Sequence, residues 1–371
     1  MHVALLTYST RPRGGVVHTL ELAEALAACG VTVTVVTLGR GGDTAFFRPV
    51  DPRVHVEVVA LPDRPAETVG ARIVRSIEVL GRHLAEVGGR FDVVHAQDCI
   101  SANAAPRCLR TVHHLDDFTT PELVRCHERA IVRPVGHVCV SRSVARELAT
   151  GWGIEATVIP NGVRAERFAA AAGGDIAAVA ARRAWRERIG APYVLAVGGI
   201  EPRKGTLDLV EAVARLHRTH PEVELVVAGG ETLFDHRPYR AEVERRAAEL
   251  GVHPRVLGPV DHDALPALVA AADVFAFPST KEGFGLAAME ALAAEVPLVC
   301  RDLPVLREVF DGAARFGADV DTLARALDDA LTTADDARRA VGRDLAARHT
   351  WDVAARAHLQ VYAHIGRAAA A

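Results

Sequence analysis

Two carboxylates eight residues apart, Glu282 and Glu290, flank a turn carrying two glycines. An apolar run, Val274-Phe275-Ala276-Phe277, reads as a buried strand that Pro278 ends, and strong helix formers take over from Leu286. Without side chains at Gly283 and Gly285, a ligand can approach the backbone, and free N–H groups with the helix dipole favour an anion there. A ligand hydroxylated at both ends and phosphorylated between, such as a nucleotide-diphosphate sugar, suits that arrangement. An ordinary strand–loop–helix corner with two solvated glutamates fits the same residues.

Arg203 and Lys204 form a second candidate pair, between Gly198-Gly199 and Gly205 and directly after Pro202. Fixed cations at the carboxyl end of a strand can hold a diphosphate and stabilise the charge that builds on a departing nucleotide. A surface Arg-Lys pair is the plainer reading, and the rigid turn argues for function. In the first half, Gly14-Gly15 follows the strand Val3–Tyr8, where open α/β sheets bind ligands. The pattern is not GxGxxG, so a dinucleotide fingerprint is absent. His113 ends a strand at Leu109–His113.

The elements that must position these residues alternate regularly. Helix Val16–Cys29 with Gly30 as its C-cap, strands Val31–Leu38 and Val54–Leu61, helix Ala71–Val87, and strands Phe91–Ala96 and Val135–Val140 give a doubly wound α/β domain over about residues 1–160. Ser141 is an N-cap for helix Val144–Ala149. After a small-residue stretch, Ala169–Gly174, the pattern restarts with helix Ile176–Ile189 and strand Tyr193–Val197. Helix Leu207–His217, strand Val223–Ala228, a helix around Tyr239–Leu250, strand Arg255–Leu257 and helix Ala264–Ala272 follow. Strand Pro297–Cys300 and helix Val305–Phe310 come after the Glu282 corner, and Leu323–Ala370 reads as a helical tail. The second domain is thus also doubly wound, and the ligand sites of both are expected to meet at a cleft.

Composition narrows the function. With 371 residues, two domains are the default, and a net charge of −4 without a basic block gives a nucleic-acid partner no support. The first residues lack a charged n-region and read as a strand, and no apolar window reaches membrane-span length. Six scattered cysteines without a CxxC pair fit reduced thiols and a cytoplasmic location. The run His113-His114-Leu115-Asp116-Asp117 invites a metal, but adjacent histidines on a strand face opposite ways, so no metal is expected. Arg72, Arg75, Arg82 and His83 share the polar side of Ala71–Val87, read as a solvated face, with peripheral membrane contact the lesser reading.

Taken together, these motifs resemble the GT-B glycosyltransferases, and within them family 4 of the retaining nucleotide-sugar enzymes. The resemblance rests on Gly14-Gly15 with His18, Asp92-Val93-Val94-His95, Val112-His113, Ile159-Pro160-Asn161-Gly162-Val163, Val197–Gly205 and Glu282-Gly283-Phe284-Gly285-Leu286 through Glu290. It covers nearly the whole chain and implies two Rossmann-like domains facing each other across a cleft. Residues 1–163 would form the acceptor-side domain and 164–350 the nucleotide-sugar domain, with 351–371 a helix crossing back to the first.

The resemblance also implies roles. Glu282 would contact the donor sugar and Glu290 the ribose. The backbone at Phe284, Gly285 and Leu286 would hold sugar and diphosphate, with Gly14 and Gly15 closing from the other domain. Lys204 would neutralise the leaving diphosphate, and His113 would sit beside the reacting carbon. It implies hexose transfer with retention by front-face attack, with no metal, no cofactor beyond the donor, and a small molecule, glycan or lipid as acceptor. Loops around Gly41–Phe47 and Asp116–Thr120 would hold the acceptor, and the backbone near Gly258-Pro259-Val260 the base.

Two positions depart from the family pattern. Gly199 stands where an Arg is usual, leaving Arg203 to supply that charge, and the gap from Gly15 to His18 is one residue short. A non-catalytic nucleotide-sugar sensor and a sugar-nucleotide epimerase on the same plan are the rival readings. An NAD(P) oxidoreductase is disfavoured by the missing fingerprint and the two cations.

Overall fold

The computed structural model describes residues 1–105, 107–116, 118, 120–230 and 236–370; Asp117 and Thr119, in the stretch expected to help hold an acceptor, lie outside them. The chain forms two compact units, Met1–Gly162 with Trp351–Ala371, and Val163–Thr350.

The first unit is built on strands β1 (His2–Leu6), β2 (Thr32–Arg40), β3 (Val54–Leu61), β4 (Val93–Ala96), β5 (Leu109–Val112), β6 (Gly136–Cys139) and β7 (Thr157–Val158). Between them run helices α1 (Gly14–Ala28), α2 (Val69–Val87), α3 (Cys99–Ala104), α4 (Pro121–Val132) and α5 (Arg142–Trp152). The sheet order is β3-β2-β1-β4-β5-β6-β7, all parallel. The winding reverses between β1 and β4, where connections leave in opposite directions and a crevice opens at the carboxyl ends. Val3–Leu6 have no exposure, as near-continuous apolar runs in a doubly covered parallel sheet require.

Helix α1 is covered by the last helix, Trp351–Ala370, as well as by its own sheet, so even Glu21 and Glu24 are buried. Arg48 answers both carboxylates, with Nη2 2.9 Å from Glu21 and Nη1 2.6 Å from Glu24. The same last helix buries Tyr362, whose Oη lies 2.8 Å from His95 Nδ1, while His95 Nε2 reaches Thr111 Oγ1 at 2.8 Å.

The second unit opens with α6 (Ala165–Ala172) and α7 (Ile176–Ile189), then alternates β8 (Tyr193–Val197), α8 (Thr206–Leu216), β9 (Glu224–Ala228), α9 (Arg237–Glu249), β10 (Arg255–Gly258), α10 (Leu265–Ala270), β11 (Val274–Phe277), α11 (Leu286–Ala293), β12 (Leu298–Arg301), α12 (Pro304–Phe310) and β13 (Ala314–Gly317). It closes with α13 (Val320–Thr332) and α14 (Asp336–Arg348), and the last helix of the chain is α15 (Trp351–Ala370). Its parallel sheet runs β10-β9-β8-β11-β12-β13, with the reversal between β8 and β11. Leu209, Val213 and Leu216 of α8 and Leu323 and Leu327 of α13 share a core with Val194, Leu225 and Val274.

Some expectations gain detail and one needs correction. Most of the small-residue stretch Ala169–Gly174 belongs to a helix that sequence pattern did not reveal, Ala165–Ala172, anchored by Phe168 at 2% exposure; alanine is the best helix former. The helical tail is three helices, with breaks after Thr332 and again after Arg348. Arg75 does not lie on a solvated face: it is buried against Glu67, with Nε and Nη2 at 2.7 and 2.5 Å from its two oxygens. Among the described residues no helix is long and apolar enough to cross a membrane, and no group of three His, Cys, Asp or Glu side chains is placed to hold a metal.

Candidate functional site

In the second unit the carboxyl ends of β8 and β11 bring Arg203, Lys204 and Glu282 together. Lys204 Nζ lies 2.7 Å and Arg203 Nη1 3.0 Å from the same oxygen, Glu282 Oε1. Arg203 also donates to Glu201 Oε1 (2.8 Å) and to the Lys281 carbonyl (3.2 Å). The two loops are joined through the backbone as well, since Thr280 N donates to Arg203 O at 2.8 Å. The Lys204 stem lies against Gly198, where a Cβ would meet Lys204 Cε at 3.3 Å, and Nζ sits 5.2 Å from the Phe277 ring centre. Glu282 is only 10% exposed, so its charge interactions are screened less than those of a surface pair.

Gly285 precedes α11 in the left-handed region (φ 102°), and a Cβ there would lie 2.9 Å from Phe310 Cε2, so the turn itself demands glycine. The Phe284 side chain is buried, 5.6 Å ring to ring from His349, which leaves only its backbone for a ligand. Leu286 opens α11 and Glu290 lies half-buried in its second turn.

In the first unit, Gly14 and Gly15 begin α1, and Gly15 faces His113: a Cβ would lie 3.8 Å from both Cδ2 and Nε2 of that ring. Neither glycine has a left-handed backbone, and Gly14 meets nothing within 4 Å. His113 packs edge-on against His18 at 4.7 Å, and His18 Nδ1 donates to Asn161 Oδ1 at 2.9 Å. Burial, then the charges of His114, Arg110 and His358, drive the His113 imidazole down to about 3, so it is neutral at ordinary pH. His18 and His95 are held well below the usual histidine range by burial first, and burial lowers His358 to about 4.

Sequence reasoning passed over three groups that matter here. Glu201 lies inside a motif already singled out, and its place two residues before Arg203 was the available signal. Asn161 likewise sits in a quoted motif. Arg301, 7% exposed, bonds Asp208 and the Pro278 carbonyl, and no local pattern announces that.

Residues 180–343 match the family model "Glycosyl transferases group 1", and residues 12–167 match "Glycosyltransferase Family 4". A D-inositol 3-phosphate glycosyltransferase of Xylanimonas cellulosilytica is 32% identical over 413 residues, covering 97% of this chain and 96% of that protein. A glycogen synthase of Mycobacterium tuberculosis is 30% identical over 388 residues, covering 93% and 89%. Among solved structures, a sucrose-phosphate synthase from Thermosynechococcus elongatus superposes with TM-score 0.79 at 20% identity, covering 99% of each chain. Anabaena HepE in complex with UDP-glucose gives 0.77 at 17%, covering 98% of this chain and all of that one. With two parallel Rossmann-like sheets, the loop cations gathered on Glu282 and relatives matching along nearly its whole length, the chain belongs to the glycosyl transferases of group 1 and family 4 and is a glycosyltransferase of GT-B fold.

Proposed function

We propose that this enzyme transfers a hexose from a nucleotide-diphosphate sugar to an acceptor hydroxyl with retention, without a metal or further cofactor, and in the cytoplasm. The observation that carries the reading is the convergence of Lys204 and Arg203 on one Glu282 oxygen beside the N-terminal turn of α11. Lys204, Arg203 and the α11 amides provide fixed donors for a diphosphate, and Glu282 provides an acceptor for sugar hydroxyls. Arg203 supplies the charge that Gly199 cannot.

In the step itself, the bond from the anomeric carbon to the phosphate oxygen breaks and its electron pair leaves with the diphosphate. The acceptor oxygen bonds to the same face of that carbon, and its proton passes to the departing phosphate oxygen. His113, neutral, offers hydrogen bonding rather than charge, and Glu290 takes the ribose. Support for ligand approach at Gly14 and Gly15 comes from their surroundings: their backbone and neighbours accept a side chain, so the fold does not require glycine there. Loops near Gly41–Phe47 hold the acceptor, a small molecule, glycan or lipid.

A thermal-shift screen of UDP-, GDP- and ADP-glucose tests the reading, since specific binding raises apparent stability. One donor is expected to raise Tm, and Lys204→Ala to abolish most of that rise. A flat response to all three, with no sugar transfer in cell extract, would remove it.

A further inference from the structure

Lys204 and Glu282 come from different loops, after β8 and after β11, and something must hold those loops in register. Arg301, the last residue of β12, does so from behind. Its guanidinium donates to Asp208 Oδ2 in the first turn of α8, to Pro278 O (Nε, 3.2 Å) at the end of β11, and to Ala318 O (Nη1, 3.3 Å) before α13. Asp208 lies four residues past Lys204, and Pro278 four before Glu282. Gly205 seals the junction: at φ 65° a Cβ would lie 2.2 Å from Pro278 O and 3.3 Å from Arg301 Nη2. A planar fork with several donors can reach three acceptors on three elements at once, which an ammonium on a flexible stem cannot do in one fixed geometry.

We propose that Arg301 is a positioning residue for the transfer step, setting the Lys204–Glu282 pair by pinning the Pro278 carbonyl to the start of α8. This rests on the reading of Lys204 as the diphosphate's cation. Arg301 touches neither Lys204 nor Glu282 through any contact described above; its effect passes through Asp208, Gly205 and Pro278. Interactions among such linked groups are non-additive, and that separates positioning from general stabilisation.

The test uses the full chain and the nucleoside diphosphates themselves. Calorimetric titration of UDP, GDP and ADP selects the tightest binder as probe. Arg301→Met is expected to weaken its binding by about tenfold, with Arg301→Lys recovering part of the loss. In a Lys204→Ala background the same substitution is expected to change affinity less than about twofold. Should Arg301→Met fail to fold, Asp208→Asn, which keeps the guanidinium and removes its ionic partner, is expected to show the same dependence on Lys204. Equal losses in both backgrounds, or a lower Tm with unchanged affinity, would overturn the proposal. If no nucleotide binds, or Lys204→Ala alone leaves affinity untouched, the functional reading itself falls and this inference with it.

Discussion

Lys204 Nζ and Glu282 Oε1 stand 2.7 Å apart although 78 residues separate them, and Arg203 shares the same oxygen. A carboxylate held by two cations is fixed in place, which is what the proposed role of Glu282 toward a donor sugar requires. Lys204→Ala and Glu282→Ala are each expected to lower turnover by about 10²–10³, measured as nucleoside diphosphate released from donor, with an unchanged far-UV spectrum. Near-native turnover in both variants would strip these residues of their roles.

The glycines divide into two kinds, and alanine substitutions should expose the division. Gly15→Ala meets only ordinary contacts at 3.8 Å, so stability is expected to change by no more than about 1 kcal/mol while turnover falls roughly 10- to 100-fold. Gly205→Ala combines a left-handed backbone with a 2.2 Å clash and is expected to lose roughly 2–4 kcal/mol. Denaturant midpoints and donor hydrolysis on both variants check the pair. A Gly15→Ala enzyme with full turnover would mean no ligand comes close to that backbone.

Acid should loosen the first unit. His18, His95, His113 and His358 are all held below the ordinary histidine value of 6.5, with His358 near 4 and His113 near 3. Above about pH 6.5 both folded and unfolded chains leave them neutral, and they add no slope. As pH falls below that, the unfolded chain takes up protons that the folded one refuses, so stability declines toward pH 3–4. Asp98 opposes this, since burial pushes its carboxyl up to about 6 and protonation relieves it, while His137, also lowered by burial, adds to the decline. Hydrogen exchange between pH 7 and 4 should show protection lost in β4, β5 and α15, and His358→Gln should flatten the dependence. A first unit equally protected at pH 4 would contradict the burial of these rings.

Arg48 is expected to be indispensable to the first unit for an electrostatic reason. It pairs with Glu21 and Glu24, whose side chains are 5% and 10% exposed, and removing the cation of a buried ion pair leaves carboxylate charge there uncompensated. Arg48→Ala is expected to destabilise by about 3–5 kcal/mol, with Glu21→Gln and Glu24→Gln restoring much of it. Urea melts of the single and triple variants decide the matter.

What could be read in the amino-acid order follows the range of each interaction. Val274–Phe277, Tyr193–Val197, Val54–Leu61 and Ile176–Ile189 have the bounds read from pattern alone, because apolar runs, cap residues and flanking glycines are local signals. The helix Ala165–Ala172 escaped notice because alanines show no polar–apolar alternation, and β13 because Ala-Arg-Phe-Gly is too short to show a period. Glu282, Arg203 and Lys204 were legible as chemistry, whereas their shared oxygen was not, since it depends on β8 and β11 lying side by side. Arg301 was silent for a stronger reason: two of its three acceptors are backbone carbonyls, which every residue carries. The network that joins His95 and His18 to Thr111, Tyr362 and Asn161 was equally silent, because its members lie far apart in the chain.

Because α15 belongs to the first unit, that unit begins the chain and also ends it. During synthesis its sheet emerges early, but the helix that covers α1 and buries Tyr362 is made only after all of Val163–Thr350. At usual elongation rates of about 5–20 residues per second, the wait is on the order of 10–40 s. The second unit, an unbroken stretch, can finish first, while the earlier-born sheet waits with His18 and His95 uncovered. Premature termination near Thr350 would therefore release a chain whose later-made half is sound and whose earlier-made half is not.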